Sequence, residues 1–362
     1  MNTLLSVSPR QALPLIERVS AGAAVGAEYP LVFGHKAPGG VIAVGEESAH
    51  PRSACAILAR DFVTPQGIVK VGLIGSVATD PAWQGQGLAT RVLIEAEAAL
   101  ANRGCHVALL WANDTRFYYS RGYRPIGAEL DFRLTPKLAA ALPAAEGVRA
   151  YRPGDAPAIH ALYSAHVARV DRRPEETAAL LAIPDMSTLV LERQGAPVAF
   201  ACLGRGADLK DVIHEWGGKT EDVLAVLRAH LELRSAAGGM DTLFLMVPTT
   251  AVEIADRLTA LGCEVTMGIL GLGRVLDHPA CADLLQRLIG DAGTAVFHTT
   301  EEGPGVSIAT PHGQGHLTDD LLLGVLFPAF GLDDEVQELR TSFGLQRALF
   351  PINLFAWGLD SI

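Results

Sequence analysis

The stretch Val77-Ala78-Thr79-Asp80-Pro81-Ala82-Trp83-Gln84-Gly85-Gln86-Gly87-Leu88-Ala89-Thr90-Arg91 decides how the chain is to be read. Upstream of it, residues 54–61 and 68–79 have strand composition. Thr64-Pro65-Gln66-Gly67 between them carries turn chemistry, so a hairpin with a long second strand is expected. Downstream, Leu88, Val92, Leu93, Ala96 and Leu100 fall at helical spacing, and Gly104 ends the helix. A strand thus feeds a glycine-bearing loop that opens a helix. Such a loop aims several backbone N–H groups at one point, and the helix dipole adds a potential that favours an anion, phosphate above all. Gly85 and Gly87 put no Cβ in the way, and Ala89 keeps the first turn narrow. Taken alone, the loop is equally an ordinary strand-to-helix turn. A dinucleotide fingerprint fits poorly, because Thr90 stands where the third glycine would be and the loop does not follow the first strand.

A second cluster follows at family spacing. After the expected strand 107–111 come Asn113 and the aromatic helix Phe117-Tyr118-Tyr119-Ser120-Arg121-Gly122-Tyr123. Here the sequence resembles the GNAT superfamily of N-acetyltransferases, whose acetyl-CoA loop reads Q/R-x-x-G-x-G/A and whose next helix carries a Tyr four residues before a Gly-aromatic pair. Gln84-Gly85-Gln86-Gly87-Leu88-Ala89 fits the first pattern, Tyr118 with Gly122-Tyr123 fits the second, and residues 77–81 look like the family's splayed strand. The resemblance is strongest over roughly residues 50–130, within the reach of motif reading.

The resemblance implies an α/β (α+β) fold with a mixed sheet, and acetyl-CoA as cosubstrate without a metal. Gln84, Gly85, Gln86, Gly87, Leu88, Ala89 and Thr90 would hold the pyrophosphate, and backbone groups of Val77, Ala78 and Thr79 would pair with the pantetheine arm. One strand N–H would face the thioester oxygen, where a preorganised donor contributes ~2.7–4 kcal/mol to an oxyanion transition state. Asn113 would reach the pantetheine, or else cap the helix after it. Tyr118 would stand beside the sulfur and serve the departing thiolate. With ordinary pKa values of ~10 for Tyr and ~8.5 for a thiol, full proton transfer is uphill by roughly 2 kcal/mol, which favours a strong hydrogen bond to sulfur as its main role. Phe117 and Tyr123 read as core aromatics. Where many relatives carry Arg or Lys in the loop, this chain has neutral Gln84 and Gln86, with Arg91 expected as the nearest cation. Glu46, Glu47, Asp61, Asp80 and Glu129 are available to orient an amine, but none stands out as a general base.

With 362 residues against a typical ~150 per domain, two or three domains are expected. The chain is 49% hydrophobic and 19% charged, a composition that buries sizeable cores. A net charge of −11 argues against nucleic acid or an anionic membrane as partner and suits a cationic acceptor. The five cysteines are scattered without metal-ligand spacing, which reads as buried free thiols in a reducing cytoplasm. No basic leader and no apolar run of ~18 residues occurs, so neither secretion nor membrane spanning is expected.

Residues 135–147 are rich in Ala and Pro. The expected organisation is therefore a catalytic domain over 1–134, a linker over 135–148, a related domain over 149–275 and a small unit over 276–362. Pro9 and Pro153, each opening an apolar helix, lie 144 residues apart, and Gly122 and Gly262 lie 140 apart, which suggests an internal duplication. The second copy has no Q-x-x-G-x-G/A, and Leu258 stands where the first has Tyr118, so it is expected to wall the acceptor pocket without chemistry. His214 and Glu215 either line that pocket or serve the fold. In the last unit a helix is expected over 280–288 and another from the cap residue Thr318 to Leu326, with a Gly/His-rich patch over 303–315 between them.

Tandem GNAT halves with a smaller C-terminal unit also resemble the enhanced intracellular survival acetyltransferases, which acetylate amines including aminoglycosides. In that family the terminal carboxylate accepts the proton at the acceptor site. The apolar ending Leu354-Phe355-Ala356-Trp357-Gly358-Leu359-Asp360-Ser361-Ile362 is therefore expected to dock near the site. The α-carboxylate of Ile362 is a candidate base if burial raises it from its usual ~3.3–3.7; simple packing of the tail is the alternative. The reading is an N-acetyltransferase acting on an amine of a small molecule or peptide by direct attack on the thioester. The alternative is a catalytically silent acyl-CoA-binding regulatory or scaffold protein.

Overall fold

Strands are numbered along the chain. The first half carries β1 (Thr3–Leu5), β2 (Gly40–Gly45), β3 (Ser53–Thr64), β4 (Gly67–Thr79), β5 (Val107–Leu110) and β6 (Arg124–Leu134). The second carries β7 (Val148–Ala150), β8 (Arg169–Val170), β9 (Ser187–Arg193), β10 (Ala196–Leu203), β11 (Val212–Gly218), β12 (Leu243–Pro248) and β13 (Val265–Val275). β14 (Thr294–Thr300), β15 (Gly303–Thr310) and β16 (Gly313–Leu317) form a separate antiparallel sheet. The structure is a computed structural model that describes residues 2–20, 23–144, 146–206, 209–238, 242–300, 303–329, 334–344 and 351–362.

The expected hairpin is β3–β4, closed by the turn at Thr64 and Gly67, where the Thr64 hydroxyl donates to the Gly67 carbonyl at 2.8 Å. It lies in a 13-stranded sheet of order β1-β2-β3-β4-β5-β13-β6-β12-β11-β10-β9-β7, with β8 pairing to β3. The run β4-β5-β13-β6-β12-β11 reads alike from either end, with the antiparallel β13–β6 pair at its centre. Each half keeps one parallel pair, β4 with β5 and β11 with β12. The last strand of each half is handed to the other: β13 lies beside β5, and β6 lies beside β12.

Long helices cover the sheet at corresponding places, Leu88–Ala101 after β4 and Thr220–Ala236 after β11. Leu88, Val92, Leu93, Ala96 and Leu100, the stripe read from the sequence, are all buried. The parallel pairings end at Leu73 in β4 and Ile213 in β11, 140 residues apart like Gly122 and Gly262, and those two glycines share left-handed φ values of +80° and +77°. Within 135–148, Pro136–Ala141 forms a short 3-10 helix, with Leu138 and Leu142 buried.

After β13, Asp277 caps the helix His278–Ile289, its side chain accepting from the Ala280 N–H at 2.9 Å. The Gly/His-rich patch is the β15–β16 hairpin, and the helix Asp319–Leu326 follows Thr318 as expected. Residues 351–362 then leave this unit and enter the core, where Leu354, Phe355, Trp357 and Leu359 are buried. All five cysteines are unpaired, and four of them are buried. Among the described residues, no helix is long and apolar enough to cross a membrane.

Candidate functional site

β4 and β5 pair only through residues 71–73 of β4, while β4 continues to Thr79; among the described residues its edge toward β5 is thus left without a strand neighbour over its last six residues. The register with β3 slips between Ala54 and Ala56, and opposite this slip Ser76 adopts a left-handed φ of +50°. That is a β-bulge, the device that bends a strand away from its neighbour and re-aims its backbone groups. Of the expected pantetheine-facing residues, Val77 is half-buried, Ala78 is wholly buried, and Thr79 holds its hydroxyl 2.8 Å from that of Ser53. At the bulge, a Cβ on Gly75 would fall on the main-chain oxygen of Ile362, so the last residue lies directly on the splayed strand. A glycine inside a strand pattern can signal such a close approach, but β4 carries both Gly72 and Gly75, and nothing in the sequence names the partner.

Asp80 ends β4 and caps the turn Pro81–Trp83, accepting from the Ala82 N–H at 3.0 Å. Gly85 and Gly87 both have φ +75°, and Gly87 is the N-cap of the helix Leu88–Ala101. A Cβ at either glycine would meet nothing within 4 Å. The backbone angle, not crowding, demands glycine there, and the loop faces open space. Gln84, Gly85, Gln86 and Gly87 are exposed, and the first-turn N–H groups of Leu88, Ala89 and Thr90 lack an intrahelical acceptor by helix geometry. Arg91, the cation expected nearest in sequence, donates its guanidinium to the Asn2 carbonyl at 2.5 Å, and another cation contacts the first turn. It is Arg121, with Nη2 2.5 Å and Nε 3.2 Å from the Thr90 hydroxyl and its Cζ 3.7 Å from the Phe117 ring centre. Arg121 stands inside the aromatic motif itself, but sequence distance from the loop hid its place.

The aromatic helix is a single turn, Arg116–Tyr119, whose cap position is Thr115. Asn113 is exposed two residues earlier, so the capping alternative is corrected; Asp114 makes the local bond to the Arg116 N–H at 3.2 Å. Tyr118 is half-buried, edge-on to Phe117 at 5.0 Å and to Tyr123 at 5.7 Å, in a cluster that includes Val77, Leu88 and Cys55. Among the described residues its hydroxyl has no hydrogen-bond partner. Burial pushes the phenol up, Cys55 adds to this and Arg121 opposes it, so Tyr118 keeps its proton at neutral pH. Tyr123, in contrast, is fully engaged: its hydroxyl donates to Glu97 at 2.9 Å, and Arg274 of β13 donates to the same carboxylate at 2.8 Å.

In the second half these features are missing. One residue, Lys219, separates β11 from its helix, leaving no room for a loop like 80–87. Leu258 is buried at the place corresponding to Tyr118. The Trp216 indole reaches across from β11 to the Met246 carbonyl of β12 at 2.9 Å. His214 and Glu215 are fully buried; Glu215 takes a two-point ion pair from Arg172, and both serve the interior. Of the five available acids, Glu46, Asp61 and Asp80 pair with Arg52, Lys70 and Arg18 at 2.7, 3.5 and 2.6 Å, and Glu47 is exposed. Glu129 differs, because burial, with Asp131 nearby, pushes its carboxyl up to about 8. No group of three or more metal-ligating side chains occurs among the described residues.

Residues 42–126 match the family described as "Acetyltransferase (GNAT) domain". No curated protein matches the chain. Among solved structures, a GCN5-related N-acetyltransferase from Kribbella flavida has 16% identity and a TM-score of 0.66, with 100% of both chains covered. One from Anabaena variabilis ATCC 29413 has 11% identity and a TM-score of 0.70, again with 100% of both covered. Eis1 from Mycobacterium abscessus has 16% identity and a TM-score of 0.56, over 88% of this chain and 85% of that one. At these identities the likeness concerns the fold, which is that of two tandem GNAT-like halves with a smaller C-terminal unit.

Proposed function

We infer, from a chain whose residues 42–126 are a GNAT acetyltransferase domain, that the protein transfers acetyl from acetyl-CoA to an amine of a small molecule or peptide. Catalysis belongs to the first half, and a reducing cytoplasm suits its five unpaired cysteines. The observation that carries this is the conjunction of an open, glycine-built helix N-terminus with a splayed β4 and a half-buried Tyr118 in the same cluster as Val77. Bound acetyl-CoA supplies the activated acetyl thioester.

The chain's own residues would do the rest. Residues 84–90 offer convergent N–H donors to the pyrophosphate, and Arg121 adds the positive charge that Gln84 and Gln86 do not. The unpaired edge of β4 at Val77, Ala78 and Thr79 offers backbone groups to the pantetheine amides, and Asn113 lies exposed at the end of β5 beside the gap. Tyr118 donates its hydroxyl proton, wholly or as a hydrogen bond, to the leaving sulfur. The contact between Ile362 and Gly75 of the splayed strand supports the α-carboxylate of Ile362 as the acceptor of the amine proton.

An acetyl-CoA turnover assay reading free thiol, run across polyamines, amino acids, aminoglycosides and peptides, tests the reading. At least one amine should raise turnover well above acetyl-CoA hydrolysis. Tight acetyl-CoA binding with no amine-dependent turnover would instead establish the silent scaffold.

A further inference from the structure

The last residues cross from one half to the other. Trp357 is wholly buried against Trp216 and His166, with ring centres 5.2 and 4.3 Å away, and its indole N–H donates to the Ala168 carbonyl at 3.2 Å. Gly358 lies so close to β11 that a Cβ there would strike the His214 side chain. Four residues later Ile362 lies on β4 at Gly75. The tail therefore fills the β11 side of the second half, where no loop remains, and ends at the open splay of the first.

Asp360 stands between these two contacts with its side chain fully buried. Arg172 donates through Nε to its Oδ1 at 2.6 Å, and the Tyr163 hydroxyl donates to its Oδ2 at 2.9 Å. The same guanidinium gives Nη1 and Nη2 to Glu215 at 2.9 and 2.7 Å and lies 3.9 Å from the Tyr163 ring centre. Arg205 donates to the Gly358 carbonyl, to the Ser361 hydroxyl at 2.9 Å and to the Ser361 carbonyl at 3.1 Å. It also donates to the Glu28 carbonyl at 2.8 Å, tying tail, second half and first half together.

Buried ion pairs contribute little net stability, because desolvation offsets their attraction. Phe355, Trp357 and Leu359 already bury the apolar surface that holds the tail down. What Arg172 and Arg205 add is directional: Arg172, fixed by its two-point pair with Glu215, gives Nε to Asp360, and Arg205 bonds Gly358 and Ser361, which fixes where the chain lies along its length as apolar packing alone does not. We propose that Arg172, itself held by Glu215, and Arg205 are positioning residues, which grip Asp360 and Ser361 so that Ile362 is held against Gly75 of the splayed β4. The second half has then exchanged a cofactor site for a clamp on the group that serves its partner half. This rests on the reading of the Ile362 carboxylate as proton acceptor.

The test uses the full chain and four variants: Asp360→Asn, Ser361→Ala, two glycines appended after Ile362, and Asp360→Asn combined with that extension. Turnover is measured with the panel amine acetylated fastest. We expect Asp360→Asn to lower kcat at least tenfold with KM for acetyl-CoA within twofold, and the combined variant to lose no more than the extension alone. Ser361→Ala should lower kcat about threefold with an unchanged melting temperature, and it decides the matter if Asp360→Asn does not fold. Carboxypeptidase Y, which needs no acceptor, should release Ile362 at least tenfold faster from Asp360→Asn than from the unaltered chain. Undiminished kcat and an equally protected terminus in both point variants, or losses that multiply in the combined one, would overturn the positioning role. Full activity of the extended chain alone would instead remove the proton-acceptor reading, which the carboxypeptidase arm does not touch.

Discussion

Gly87 has a left-handed φ, open space beyond its missing side chain, and the helix N-terminus on its C-terminal side. Gly87→Glu would strain the backbone and put a negative charge at the point where the pyrophosphate is proposed to lie, so acetyl-CoA binding should be lost in calorimetry. Unchanged affinity would show that the phosphates bind elsewhere. Tyr118→Phe removes a donor that acts only as charge develops on sulfur. It should cut kcat by roughly 100-fold and leave acetyl-CoA affinity nearly intact, while Tyr119→Phe, at an exposed position, should change little. Equal effects of the two would remove the sulfur-facing role. Glu129 carries a pH signature: its carboxyl is raised to about 8 in the folded chain against ~4.3 when unfolded. The folded state therefore binds the extra proton, so this contribution is fully present below pH ~4.3, fades as pH rises, and is gone above about 8. Glu129→Gln should flatten that part of the stability profile, raising the melting temperature more at pH 9 than at pH 5; an equal shift at both would refute the assignment.

Elements were legible where pattern and punctuation agreed. The β3–β4 hairpin, the loop and the helix Leu88–Ala101 follow from turn residues, two glycines and a helical apolar stripe, all local in sequence. Arg121 beside Thr90, Ile362 on Gly75 and the Arg172–Asp360 pair were not legible, because each joins residues that only tertiary structure brings together. The apolar ending did announce a buried tail, and Trp357 is its anchor. Trp357→Ala should cost about 3–5 kcal/mol, the usual range for emptying a large buried aromatic site, and denaturant unfolding would measure it. At this same scale, the direct passage from β11 through Lys219 into the next helix leaves no second phosphate loop, so calorimetry should give one acetyl-CoA per chain. A stoichiometry of two would contradict that reading of the second half.

At the scale of the whole molecule, composition pointed to more than one core-bearing unit, and the repeat offset of 140 pointed to two similar ones. Strand exchange was beyond either signal, since β6 and β13 have the same apolar pattern whichever neighbour they pair with. The exchange has a clear experimental consequence. Residues 1–134 expressed alone keep β5 but lack β13 to cover it, and β6 loses both of its neighbours. That fragment should be aggregated or poorly folded by size-exclusion chromatography and circular dichroism, whereas a soluble, cooperatively melting fragment would show that the exchange is dispensable.

The same exchange sets a timetable for synthesis. β5 ends at residue 110 and its neighbour β13 ends at residue 275, so a growing chain must extend by some 165 residues before the first sheet can close. At the usual 5–20 residues per second, that edge stays bare on the ribosome for roughly 10–30 s. An unpaired strand edge invites pairing with other chains for as long as it is exposed. Cellular yield should therefore depend on chaperone supply and translation speed more than the stability of the finished protein suggests.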